Sequence, residues 1–199
     1  MKNKNLPNKI TNLRLVLSLI IIIILLFPFS MLNISFKKYL IEDSVIIDVK
    51  MIIVGVLFVI SSISDFLDGH LARKYNNISD YGKLMDPIAD KLLVNSTLII
   101  LGSYGYIHPV VPVIVIMRDM IVNTLRMFAA NSGNVEAAKT SGKFKTAFLM
   151  IGIILKLFGN LPFGLINIAV DDFFIIAGTV LSLISGFEYV LAYRKYIKK

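Results

Sequence analysis

The chain contains no cysteine. Disulfide bonds and thiolate metal sites are therefore excluded, although the compartment stays open, since many cytosol-facing proteins hold few cysteines anyway. Charge is also scarce: 17% of the 199 residues are Asp, Glu, Lys or Arg, and 56% are hydrophobic. Soluble domains carry about 25% charged and about 45–50% apolar residues, so an ordinary globular protein is disfavoured, in line with a mean hydropathy of +0.77. No internal repeat or low-complexity linker breaks the sequence, which reads as one domain over 1–199. The first 30 residues carry lysines ahead of an apolar run, as a signal peptide does. Pro28, Phe29 and the residues after them offer no small-residue cleavage site, so the segment is expected to be retained.

A helix needs about 20 apolar residues to cross hydrocarbon about 30 Å thick. Six runs qualify as candidate spans: 13–32, 45–66, 92–107, 110–130, 144–161 and 173–193. The fold class expected is an all-α integral membrane protein with six transmembrane helices, with room for an interfacial helix at the N-terminus and in the segment 33–50. Six crossings place both termini on one side. With the termini cytoplasmic, 17 of the 21 Lys and Arg flank that side, against Lys37, Lys38, Lys50 and Lys156 on the other. The positive-inside rule therefore gives an N-in, C-in, multi-pass protein of the cell membrane. The outer connections 103–109 and 160–167 are short and uncharged, so any chemistry is expected to face the cytoplasm. The net charge of +8 in a soluble protein would raise nucleic-acid binding. Here the basic residues lie between apolar blocks, and the expected partner is anionic membrane lipid, with no nucleic acid.

The stretch from Ser64 to Leu93 breaks this pattern with five aspartates. Asp65 and Asp68 are three apart at the end of the second run, and Asp86 and Asp90 are four apart before the third, so each pair shares a helix face. A connection containing Asn76, Asn77 and Gly82 would let the two helices pack antiparallel and bring the four carboxylates together. Such a group repels itself unless a cation neutralises it. Oxygen-only ligands favour Mg2+ or Mn2+ over zinc, and two such ions about 3.5–4 Å apart suit phosphoryl transfer. The plainer alternative is that the aspartates cap helices or pair with Arg73, Lys74, Lys83 and Lys91. Asp80 fits neither face and is expected to be an N-cap, and His70 to be a bystander. Gly69 admits a ligand close to the backbone and Arg73 offers a fork for phosphate, unless Gly69 and Ala72 serve only close helix packing.

The series Asp65, Asp68-Gly69, Ala72-Arg73, Gly82, Asp86, Asp90 resembles, at every position and spacing, the motif of the CDP-alcohol phosphotransferases. The resemblance implies a six-helix membrane enzyme that moves a phospho-group from a CDP-linked donor to an alcohol and releases CMP. It assigns two divalent metals to Asp65, Asp68, Asp86 and Asp90, with Asp90 also the general base on the acceptor hydroxyl. It assigns the cytidine nucleotide to Gly69, Ala72, Arg73 and Gly82. A second likeness lies in "LPNKITNLR", where Asn8, Thr11 and Arg14 match the family's donor-binding entry segment and are expected to hold the diphosphate. From spacing alone, Asn8 or Thr11 could equally cap the first helix while Arg14 snorkels.

The acceptor is read from residues 118–145. Arg118 and Arg126 are eight apart on the fourth run, and Lys139, Ser141, Lys143 and Lys145 follow. Such a cluster beside a metal-phosphate site suits an acceptor that carries its own phosphate, with Arg118, Arg126, Lys139, Ser141 and Lys145 as its candidate ligands. The alternative is that these charges only enforce topology. The pattern resembles the branch of the family that joins CDP-diacylglycerol to glycerol 3-phosphate, where the residue after the first arginine is usually Glu, so that Asp119 is a departure. The same site with inositol phosphate as acceptor is the enzymatic rival, and a divalent-cation transporter the rival of another class. A homodimer is expected from the family, with the third and fourth runs as its interface.

Overall fold

The computed structural model describes residues 6–42, 45–75, 80–131 and 140–197. Among them run six helices: α1 Leu6–Leu26, α2 Val49–Tyr75, α3 Asp80–Ser103, α4 Val110–Asn131, α5 Thr140–Leu157 and α6 Val170–Ile197. Each apolar run coincides over most of its length with one helix. Helix and run part company at the ends, because the helical hydrogen-bond ladder continues where hydrophobicity stops. The last turns of α2 and the first turns of α3 are polar helix, and these carry the aspartates.

The helices pack by close approach of small residues, as membrane bundles do. On α5 and α6, a Cβ at Gly152 would lie 2.6 Å from Ile175 Cγ1 and one at Gly178 2.8 Å from Leu149 Cγ. Helix α4 lies on α6, and α1 lies on both α2 and α3. The core joins Ile21, Leu25, Val54, Phe58, Leu98, Leu101, Leu149 and Ile153, and a smaller cluster of Val122, Leu125, Ala129, Tyr189 and Tyr193 closes α4 against α6. The outer surface is apolar too: Val16, Ile23, Met117, Phe187 and Leu191 are all more than half exposed. Helices greasy on every side suit a lipid surround. Two stretches, Asn8–Leu26 and Val170–Arg194, are long and apolar enough to cross a membrane.

Two expectations are corrected. The segment 33–50 is not an interfacial helix but holds an antiparallel hairpin, β1 Lys38–Ile41 with β2 Val45–Asp48, whose register sets Lys38 opposite Asp48. The β-branched run Val45, Ile46, Ile47 alternates buried, exposed, buried along β2, which is strand behaviour. Helix α1 runs unbroken from Leu6 to Leu26 and stops before Pro28, where proline bars continuation; the residues ahead of it, on which an N-terminal interfacial helix was expected, lie outside the described residues. Finally, Gly82 belongs to α3 and not to the α2–α3 connection.

Candidate active site

Helix α1 supplies the joint of the site. Thr11 is wholly buried and Arg14 is 1% exposed. The Thr11 hydroxyl donates to Asp86 Oδ1 at 2.7 Å. One terminal nitrogen of Arg14 donates to Asp65 Oδ1, and the other donates to Asp86 Oδ1 at 3.1 Å. Through Arg14, α1 thus links Asp65 of α2 to Asp86 of α3. A planar guanidinium suits this bridge because its donors diverge at fixed angles. Arg14 does not snorkel, and Thr11 lies inside α1 and not at its cap. Asn8 is half-buried, one turn nearer the start of α1.

Asp90 stands one turn beyond Asp86 on α3, and its Oδ1 is buried without a hydrogen-bond partner. It precedes the apolar span 92–107, and burial pushes its carboxyl above the ordinary range, against the pull of Arg14 and Lys145. Pro87 follows Asp86 and lines the cavity beside these acids; with no N–H it removes the helix hydrogen bond to the carbonyl four residues back. Asp68, Gly69, Ala72 and Arg73 lie in the last turns of α2, and helical spacing sets Asp68 on the face of Asp65. Their side chains, with those of His70 and Asp80, lie outside the described residues. Gly82 is buried in the first turns of α3. Among the described residues no three acidic or histidine side chains form a metal cluster. The donor set present nevertheless fits a hard divalent ion. It is all carboxylate oxygen, and a buried carboxylate oxygen with no donor is a position that a cation completes.

A cavity of about 650 Å3 opens beside these acids. Asp65, Asp90 and Asp119 line it together with Arg118, Arg126, Lys143 and Lys145. Asp90, Asn95, Asp119 and Lys145 also enclose an adjoining void of about 10 Å3, so acids and cations belong to one polar layer. Lys145 donates to Asp119 Oδ1 at 2.6 Å, and Arg118 to the same oxygen at 2.9 Å. Arg118 and Arg126 lie over the ring of Tyr189, with Cζ 5.5 and 4.9 Å from its centroid, and Arg126 donates to its hydroxyl. Aromatic faces attract guanidinium groups in this way without using up their donors toward the cavity.

The acceptor candidates thus divide. Arg118, Arg126 and Lys145 are brought to the cavity. Ser141 donates to Glu188 at 2.6 Å instead and does not line it, and Lys139 lies outside the described residues. Lys91, Asn123 and Tyr189 line the cavity without having been singled out as ligands from the sequence. Tyr189 sits in an apolar run of α6, where no local pattern separates it from core. Lys91 had its signal in full view, one residue after Asp90.

A helical bundle in which a polar layer sets carboxylates beside a bank of guanidinium and ammonium groups defines a class of protein, a membrane enzyme that handles phosphates. The chain matches the CDP-alcohol phosphatidyltransferase family over residues 4–184 and belongs to it. Among its relatives, the CDP-diacylglycerol–glycerol-3-phosphate 3-phosphatidyltransferase of Bacillus subtilis (strain 168) is 37% identical over 185 residues, 93% of each chain. The enzyme of the same name from Rickettsia felis is 32% identical over 195 residues, 98% of each chain. That from Mycoplasma pneumoniae is 36% identical over 155 residues, 78% of this chain and 68% of its own.

Proposed function

We propose that this protein transfers a phosphatidyl group from CDP-diacylglycerol to sn-glycerol 3-phosphate, giving phosphatidylglycerophosphate and CMP. The observation that carries the reading is the shared cavity, which Asp65 and Asp90 line together with Arg118, Arg126 and Lys145. The three relatives above, two of them covered over nearly their whole length, bear the name of this reaction.

The chain's own groups divide the work. Arg118, Arg126 and Lys145 hold the phosphate of the acceptor by charge-assisted hydrogen bonds and so present its free hydroxyl to Asp90. Asp90 takes the proton as that oxygen forms its bond to the diacylglycerol-linked phosphorus. The bond from that phosphorus to the bridging oxygen breaks, and CMP leaves with the electron pair. Asn8, Thr11 and Arg14 face the donor diphosphate, and Gly69, Ala72, Arg73 and Gly82 its cytidine. Asp65, Asp68, Asp86 and Asp90 hold two divalent ions, Mg2+ or Mn2+, whose chemistry is to neutralise charge on the diphosphate and the departing CMP. The protein spans the membrane six times, with both termini and the site on the cytoplasmic side. It forms a homodimer through the apolar face of α3 and α4, around Ile99, Pro112 and Val113.

The test is CMP release by protein purified in detergent, with CDP-diacylglycerol and a panel of acceptors, with and without Mg2+. Release that requires glycerol 3-phosphate and Mg2+ is expected. Release with inositol phosphate alone refutes the acceptor, and metal flux into liposomes without CMP refutes the enzyme.

A further inference from the structure

Asp119 has no part in the chemistry above, yet it is 8% exposed and stands among the acceptor-binding cations. A single atom, its Oδ1, accepts from Lys145 of α5 at 2.6 Å and from Arg118 of α4 at 2.9 Å. Arg118 uses its second terminal nitrogen to donate to Ser185 of α6. Asp119 thereby ties α4 to α5 at the cavity wall, and Arg118 carries the link on to α6. The path of Arg118 is kept clear by two glycines. A Cβ at Gly142 would lie 3.4 Å from its Nη2, and one at Gly186 3.1 Å from its Cγ.

Five cations, Lys91, Arg118, Arg126, Lys143 and Lys145, line the cavity with the carboxylates Asp65, Asp90 and Asp119. Lys145 is 5% exposed, and burying an ammonium is costly unless an acid partners it. A carboxylate at 2.6 Å supplies that partner and fixes its direction. Because both donors meet at one oxygen, the two cationic heads are held side by side. Each keeps further N–H groups for a third party, since an ammonium has three and a guanidinium five. The result is a pair of neighbouring cations with donors to spare for one anionic group.

We propose that Asp119 is a positioning residue that sets Lys145 and Arg118 as a charged pair for the acceptor's phosphate, and so governs acceptor affinity without touching the reacting atoms. The inference rests on the reading of this cavity as the seat of a phosphate-bearing acceptor.

The wild-type acceptor panel decides that underlying reading first. CMP release that depends on a phosphate-bearing alcohol upholds it, and its absence refutes it together with what is built on it. The role of Asp119 is then decided separately, on the acceptor so identified. Asp119→Asn is expected to raise the KM for that acceptor about tenfold or more, the scale of one charged hydrogen bond. The KM for CDP-diacylglycerol and kcat move less than about threefold. Asp119→Glu restores most of the loss. In a Lys145→Met background the effect of Asp119→Asn shrinks to about twofold, as coupled residues require. Equal loss on both substrates, a fall in kcat alone, or full additivity with Lys145→Met overturns the proposal. If Asp119→Asn does not fold, Ser185→Ala carries the test, because it releases Arg118 from α6 with every charge in place. An acceptor KM raised about threefold is expected there, and an unchanged one overturns the proposal.

Discussion

Arg14→Leu removes a guanidinium that is 1% exposed and that reaches from α1 to both Asp65 and Asp86. Breaking a buried ion pair from one side costs about 3–5 kcal/mol, and each charge-assisted hydrogen bond is worth about 1.5–3 kcal/mol. The two carboxylates are 41% and 43% exposed, so water reaches them once Arg14 is gone, and the lower end, about 3 kcal/mol, applies. For a chain of this length that is a fall in Tm of about 6–12 °C. The assay is thermal unfolding of the purified protein in detergent with EDTA, repeated with excess Mg2+. A divalent ion supplies positive charge to the same carboxylates, so Mg2+ is expected to raise the Tm of the variant by more than that of the wild type. Arg14→Lys, with a point charge where a fork stood, falls between the two. A Tm within about 1 °C of wild type in EDTA refutes the bridging role. Equal Mg2+ increments refute the carboxylates as a cation site.

Three further outcomes are expected. Asp90→Asn lowers CMP release by about 100- to 10,000-fold, the range of a lost general base, while its Tm holds or rises because a buried carboxylate oxygen without a donor becomes neutral. Lys145→Met raises the KM for glycerol 3-phosphate, whereas Ser141→Ala leaves it unchanged, since Ser141 is bonded to Glu188 and not exposed to the cavity; steady-state kinetics of the two variants check the contrast. Gly152→Ala brings a methyl to 2.6 Å from Ile175 Cγ1 and 3.0 Å from Ile175 N, and overpacking at such a contact costs about 1–3 kcal/mol, read as a lower Tm with kinetics of the surviving protein unchanged.

Much of this architecture could be read from the chain because the signals were local. Apolar runs marked the helices, and intervals of three and four placed the aspartates on shared faces before any tertiary contact was known. The hairpin at 38–48 escaped because Val45, Ile46 and Ile47 are as greasy as the helices around them, so hydropathy hid their strand preference. Arg14 could be flagged by its place near Thr11. Its partners could not, since Asp65 and Asp86 lie 51 and 72 residues further along, and nothing in the interval says which helix will fill the gap between two others. Asp119 looked like a minor departure beside Arg118. Its importance comes from Lys145 and Ser185, on two other helices, and only packing brings those together.

The bridge made by Arg14 also has a consequence for how the protein is made. Helix α1 leaves the ribosome before α2 and α3 and carries its guanidinium with it, while Asp86 is synthesised 72 residues later. At about 5–20 residues per second, the arginine waits several seconds for its second counter-charge. During that interval it belongs at the headgroup level, among lipid phosphates and water. Arrival of α3 is thus the event that draws α1 to its final depth.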